Sequence, residues 1–158
     1  MITVFGEENN NFAPAIRYGK KIPGYYATRD GKIYSSKSQM FISLFVGTSS
    51  YLSASLSLPR NFFPDHDFYV AKHKKNSFNL KIEVHRLIAE TFIPIDENPP
   101  IPMEDWINTP ESAKQFIRDS AIVDHIDSDH LNNSVENLRW VTPKQNNSHR
   151  KKQELDAT

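Results

Sequence analysis

The sequence predicts an α+β protein: a small N-terminal antiparallel β-sheet module, then helices, then a C-terminal unit of two strands and a helix. Three observations carry this. In YLSASLSL, residues 51–58, Leu52, Ala54, Leu56 and Leu58 alternate with Ser, the period of a half-buried strand. In VHRLIAETF, Val84, Leu87, Ile88 and Phe92 recur at helical spacing until Pro94 stops the run. Residues 122–147, IVDHIDSDHLNNSVENLRWVTPKQNN, read as strand, polar loop, strand and helix.

The remaining elements follow in chain order. The first twenty residues are polar and irregular and are expected to form an arm or loop. Ile22 to Ser35 reads as a hairpin, because Asp30-Gly31 supplies the positive φ of a tight turn between two aromatic-rich strands. Phe41 to Val46 and Tyr51 to Leu58 are two further strands. Phe68 to Ala71 and Phe78 to Ile82 form another hairpin around Lys72, His73, Lys74 and Lys75, so that residues 20–83 make one small sheet with basic turns. Ile95 to Pro102 is Pro-rich and irregular. Thr109, Pro110 and Glu111 mark a helix start with Thr as N-cap and Pro at the first position, running to about Asp119. Three parts result: a basic β-rich module at 1–83, a helix with an acidic, Pro-rich and helical insertion at 84–121, and the strand–strand–helix unit at 122–158.

Composition narrows the chemistry. The sequence has no cysteine, which removes disulfides, thiol catalysis and any zinc site of cysteine type. A metal would need oxygen or histidine ligands. No apolar run approaches the roughly 20 residues that span a bilayer. The opening MITVFGEENN lacks the basic and apolar regions of a signal peptide, so a cytoplasmic protein is expected. A net charge of zero conceals an uneven distribution: residues 1–90 carry 12 Lys/Arg against 7 Asp/Glu, and residues 91–130 carry 2 against 9. The basic half suits a polyanion such as DNA. Carboxylates beside it, among them Asp124, Asp127 and Asp129, oppose phosphate unless a cation lies between them.

Hydrolysis of a phosphodiester needs a general base to activate water, a Lewis acid for the developing charge, and something to orient the base. Asp124 and Asn146 offer a carboxylate and an amide oxygen, from a strand end and a helix start, to one hard cation. His125 is adjacent to Asp124 and points to the other side of an extended backbone, free to act on water. Asn137 can accept a hydrogen bond from the imidazole and fix its tautomer. Thr142 is a helix N-cap with Pro143 at the first position, which puts Asn146 in the first turn.

With these residues in place, the segment resembles the HNH endonuclease family, in the subgroup of phage and intron-encoded homing endonucleases. The D-H pair, L-N-N, E-N-L-R-W-V-T and the following Asn occur in the family's order and spacing, and YLSASLSL with VHRLIAETFIP resembles the strand and helix that precede the motif. The resemblance implies a ββα-metal (HNH) finger at 122–158. It implies His125 as general base, Asn137 as the Asn that orients it, and Asp124 with Asn146 as ligands of one divalent cation, Mg²⁺ or Mn²⁺. The implied substrate is double-stranded DNA, cut to 5′-phosphate and 3′-hydroxyl ends. Relatives usually have only a few residues where this chain has the acidic stretch 96–121, and many carry a helical DNA-reading domain after the finger. Target recognition is therefore expected from the N-terminal sheet, the insertion or a second subunit, a homodimer included.

For DNA contact the candidates are Arg29, Lys32, Lys72, Lys74 and Lys75 in turns of the sheet, and Arg86 on the helix. Solvated turn lysines are the plainer account of the first group, and packing against the finger is an equal account of Arg86 and His85. His149 and the basic run after it either follow the DNA backbone or complement the helix dipole. Asp127 and Asn132 read as Asx turns in the loop, since a calcium loop would need other residues at 131, 132 and 138. Leu138 and Trp140 read as core. Two other functions fit the same residues: a DNA-binding protein that keeps the finger as a scaffold, and a less specific nuclease.

Overall fold

A computed structural model describes residues 11–64 and 76–157. Nine strands and four helices run β1 Phe12–Arg17, β2 Lys20–Thr28, β3 Ile33–Ser35, β4 Met40–Phe41, β5 Phe45–Val46, β6 Leu52–Pro59, β7 Ser77–Glu83, α1 Val84–Phe92, α2 Met103–Ile107, α3 Glu111–Ser120, β8 Ile122–His125, β9 Leu138–Val141 and α4 Pro143–Asp156 among the described residues. A 3-10 turn, Val135–Asn137, precedes β9. The fold is mixed α+β with antiparallel sheets, as the patterning predicts.

The alternation in β6 decides its two faces: Ala54, Leu56 and Leu58 are fully buried while Ser55 and Ser57 are exposed. β6 pairs along its whole length with β7, from Ser53 opposite Glu83 to Pro59 opposite Ser77. The β2–β3 hairpin forms around Asp30 and Gly31, with Gly31 at φ +92°.

Four expectations change. Residues 12–17 form a strand rather than a loop; β1 pairs with β2, and the register slips between Pro14 and Ile16. That bulge breaks the period of two by which a strand is legible in sequence. The N-terminal half builds two sheets instead of one, in the orders β1-β2-β3-β4 and β5-β6-β7. Phe41 to Val46 is accordingly split: Phe41 pairs with Tyr34 in one sheet, Phe45 with Ser53 in the other. Between them Ile42 and Leu44 turn inward to the core and carry the chain across. Finally, Thr109 does not cap α3. Its hydroxyl donates to the Asp105 carbonyl at 2.6 Å, at the end of an unforeseen short helix, α2, and Pro110 takes the N-cap place. The expected Phe68–Ala71 strand and the turn carrying Lys72, Lys74 and Lys75 lie outside the described residues.

Helix α1 is the hub. It touches β1, β2, β6, β7, β8 and β9. Its apolar stripe, Val84, Leu87, Ile88 and Ala89, is completely buried, and each of its larger side chains contributes roughly 1.5–3 kcal/mol. At its end the Trp140 indole Nε1 donates to the Ile93 carbonyl at 2.7 Å, tying β9 to the helix. Thus the core anchors the finger's two strands directly to the N-terminal sheets.

In the stretch 96–121 Trp106 is buried, with Lys114 and Arg118 over its ring and Arg118 bridging Asp96 and Glu111. No described helix is long and apolar enough to cross a membrane.

Candidate active site

The finger is a two-stranded ladder, β8 against β9, followed by α4. Ile122 lies opposite Val141 and His125 opposite Leu138. Alternation buries Val123 and His125 on one side, Leu138 joins Val123 in the core, and Val141 is buried at the other end of β9. Thr142 begins α4 with a full capping box: its hydroxyl accepts from the Gln145 backbone N–H, and the Gln145 side chain accepts from the Thr142 N–H. This cap fixes the first turn and with it Asn146, which is half-buried while Asn147 is exposed.

Asp124, His125 and Asn146 line one cavity of about 320 Å³, together with Tyr51, His130 and His149. It wraps around the end of β8. On one side Asp124 turns toward α4, where His149 Nδ1 lies 3.4 Å from Oδ2. Across the ladder Arg139 reaches the same oxygen through Nε and Nη2, each at 2.9 Å. On the other side His125, 3% exposed, turns toward the loop and the β5–β6 turn. Its ring lies 5.8 Å from that of Tyr51, nearly parallel; Tyr51 stacks in turn on His130 at 4.3 Å and meets His85 at a tilt, 4.7 Å away. Ser50 hydrogen-bonds His130 Nδ1 at 3.2 Å.

The partner of the imidazole differs from the sequence expectation. His125 Nε2 is 2.7 Å from Oδ1 of Asn133, not of Asn137. Asn137 instead clamps the loop: its Nδ2 donates to Asp127 Oδ1 and to the Asn132 carbonyl, each at 2.8 Å, and its Oδ1 accepts from the Asp127 N–H at 3.0 Å. These three bonds turn the Asn137 amide into the loop, toward Asp127 and Asn132, and the imidazole is met by Asn133 instead. Asx turns at Asp127 and Asp129 complete the loop, and the Asn132 amide bond holds the Asp127 carboxyl below its usual range. His85, buried against the ring cluster, is pushed down to about 3 by burial first and by neighbouring His125 and Arg86 second, so it is neutral.

Sequence reasoning missed two residues at this site. Asn133 is one of two adjacent Asn in the loop, and only the fold tells which one reaches the imidazole. In sequence His149 reads as part of a basic helix end that follows the DNA backbone or complements the helix dipole, but its i+3 spacing from Asn146 puts both on the face of α4 toward Asp124, and that spacing is a usable signal.

The donors suit a hard cation. Asp124 is 13% exposed, its Oδ1 is not part of the Arg139 pair, and Asn146 adds an amide oxygen from the capped helix. Among the described residues no group of three or more His, Asp or Glu is gathered as a metal cage. Asp124 and Asn146, with the His149 imidazole nearby, would hold such a cation here.

The DNA-contact candidates are dispersed. Arg29 lies over the Phe92 ring at 5.3 Å, and Lys32 sits 3.7 Å from Asp30; both line a cleft beside the loop with Ser134 and Glu136. Arg86 stands apart on α1, paired with Glu83 at 2.9 Å.

Residues 83–148 match the family model described as HNH endonuclease. Over 145 residues, 92% of this chain, the sequence is 28% identical to an HNH endonuclease of Acanthamoeba polyphaga mimivirus, covering 31% of that protein. The structure resembles one solved for DNA binding and cleavage by the HNH homing endonuclease I-HmuI, with TM-score 0.55 and 22% identity, over 87% of this chain and 56% of that one. The chain thus spans about a third of the viral relative's length and just over half of the solved chain's. Through residues 83–148 the chain is similar to the HNH endonuclease family.

Proposed function

We propose that this protein is a metal-dependent endonuclease of duplex DNA, with His125 as general base and Asp124 and Asn146 holding a divalent cation, Mg²⁺ or Mn²⁺. The observation that carries the reading is the shared cavity: a buried imidazole and a carboxylate from consecutive residues face it from opposite sides of a strand end. The Nε2–H of His125 donates to Asn133, which leaves the lone pair on Nδ1 to take a proton from water. Tyr51 and the clamped loop hold that ring away from Asp124, so base and cation do not compete. When bound, the cation supplies Lewis-acid stabilisation of the phosphate charge and of the leaving 3′-oxygen. The products are 5′-phosphate and 3′-hydroxyl ends. Arg29 and Lys32, beside the loop, meet the DNA backbone, with Arg86 and the lysines at 72, 74 and 75 as further contacts.

Selection of a defined target, as in the homing enzyme that the fold resembles, is part of this proposal. Supercoiled plasmid is the test. Mg²⁺ or Mn²⁺ produces nicked circles, EDTA stops the reaction, and His125→Ala abolishes it. One finger cuts one strand, so linear product would point to a homodimer or to rebinding. Cut sites clustered on a long DNA support a homing enzyme, whereas scattered sites indicate a general nuclease. No cleavage with any divalent metal would leave a DNA-binding scaffold as the function.

A further inference from the structure

We propose that Asn133 is the positioning residue for His125, and that Gly31, about a hundred residues earlier on the N-terminal sheet, keeps Asn133 in place. This rests on the reading of His125 as the base. A neutral imidazole carries its proton on one nitrogen only, and the hydrogen bond made by one nitrogen decides whether the other is basic. His125 and Asn133 are each 3% exposed, so their 2.7 Å contact is not shared with bulk water. An amide oxygen can only accept, which puts the proton on Nε2 and the lone pair on Nδ1.

The orientation of Asn133 needs a cause of its own. Its amide nitrogen is buried with no hydrogen-bond partner, so that end does not hold the side chain. What holds it is confinement by the backbone of the β2–β3 turn. A Cβ added at Gly31 would lie 2.8 Å from the Asn133 carbonyl oxygen, 2.9 Å from its carbonyl carbon and 2.9 Å from its Cβ. These are closer than non-bonded carbon approaches allow, and two of the three atoms are main chain, which cannot swing aside. Gly31 also sits at φ +92°, a region L side chains avoid. Two residues on, the Val135 N–H donates to the Arg29 carbonyl at 2.9 Å, fixing the same turn to the same loop a second time. Asn137 braces the loop from its other side through Asp127 and Asn132. The N-terminal sheet is therefore part of the catalytic apparatus as well as a candidate DNA surface.

Long-range ¹H–¹⁵N spectra of the imidazoles, recorded on the metal-free full chain at a pH where His125 is neutral, test this directly. The wild type is expected to show the Nε2–H tautomer at His125. Asn133→Ala yields a mixture, and Asn133→Asp, whose carboxylate accepts the same bond, restores the single form. Gly31→Ala yields the mixture with His125 and Asn133 both intact. With plasmid and Mg²⁺, kcat of Asn133→Ala falls by about 10–100-fold, part of the roughly 10²–10⁴-fold that a positioned general base contributes, with KM for DNA unchanged. A wild-type Nδ1–H tautomer, or an unchanged tautomer in Asn133→Ala, overturns the proposal even if other variants fold poorly. An unchanged tautomer in a folded Gly31→Ala overturns the part assigned to the sheet. Wild-type protein that shows the Nε2–H form yet never cleaves DNA would instead refute the general-base reading and leave the positioning intact.

Discussion

Arg139 stands directly opposite Asp124 in the β8–β9 ladder, and both its Nε and its Nη2 lie 2.9 Å from Asp124 Oδ2. The pair holds the carboxylate in one rotamer, and it also sets a positive charge beside the place where a cation would bind. The Arg139 side chain is 40% exposed, so its charge is screened almost as in water and opposes a divalent ion by on the order of 1 kcal/mol. Arg139→Gln is therefore expected to tighten Mn²⁺ binding severalfold in a calorimetric titration. It should also cost about 0.5–1 kcal/mol of stability as a lost cross-strand pair. Weaker Mn²⁺ binding in the variant would mean that Arg139 serves only to hold Asp124.

Asn137 acts on the loop and not on the imidazole. Asn137→Ala removes three hydrogen bonds and strands the Asp127 N–H, which should cost on the order of 2–3 kcal/mol in urea unfolding. Amide exchange in residues 126–133 should accelerate with it. Asn137→Asp puts a second carboxylate against Asp127 Oδ1, so its penalty should be larger at pH 7, where both are charged, than at pH 4. If exchange speeds up only around β9, the clamp is not what Asn137 provides.

Tyr51 comes from the β5–β6 turn and stacks on His130, with His85 and His125 around the same ring. Stacking belongs to the ring, so Tyr51→Phe should keep stability and cleavage near wild type. Tyr51→Ala leaves His125 unsupported on that side and should lose about 1–3 kcal/mol, together with most of the cleavage rate. A Tyr51→Phe variant as impaired as Tyr51→Ala would transfer the role to the hydroxyl.

Periodic segments were legible because one face of each is buried. The spacing in α1, the alternation in β6 and the Thr142–Pro143 start of α4 each state a local rule that the fold obeys. Illegible features depend on contacts distant in sequence. β1 has a bulge and few large apolar residues; its place comes from α1, where Thr91 Oγ1 accepts from the Ile16 N–H and Glu90 pairs with Arg17 at 3.0 Å. α2 is a five-residue helix whose Trp106 makes sense only against α3. That Asp124, His125 and Asn146 line one cavity was legible, because strand end and helix cap fix them locally. Asn133 meets the imidazole while Asn137 is bonded to Asp127 and Asn132, and the close approach of Gly31 to Asn133 is a contact that no spacing within the finger reveals.

His85 gives the fold a pH dependence. Its side chain is 4% exposed, its Nδ1 is buried without a partner, and it faces His125, His130, Arg86 and Arg17. Glu83, 3.9 Å from Nε2, is already bonded to Arg86 at 2.9 Å and does not offset the burial that lowers the pKa to about 3. In the unfolded chain the same group titrates near 6.5. Between those values the unfolded state binds the extra proton, so this contribution is fully present above about pH 6.5 and is lost as the pH falls toward 3. The loss approaches about 1.4 kcal/mol per pH unit. Urea denaturation of the wild type and of His85→Phe at pH 7, 6, 5 and 4 isolates it. The wild type is expected to lose stability relative to the variant over that series, whatever the variant's stability at pH 7. A constant difference would show that His85 is protonated in the folded protein, and that the ring cluster around Tyr51 carries a charge beside the candidate base.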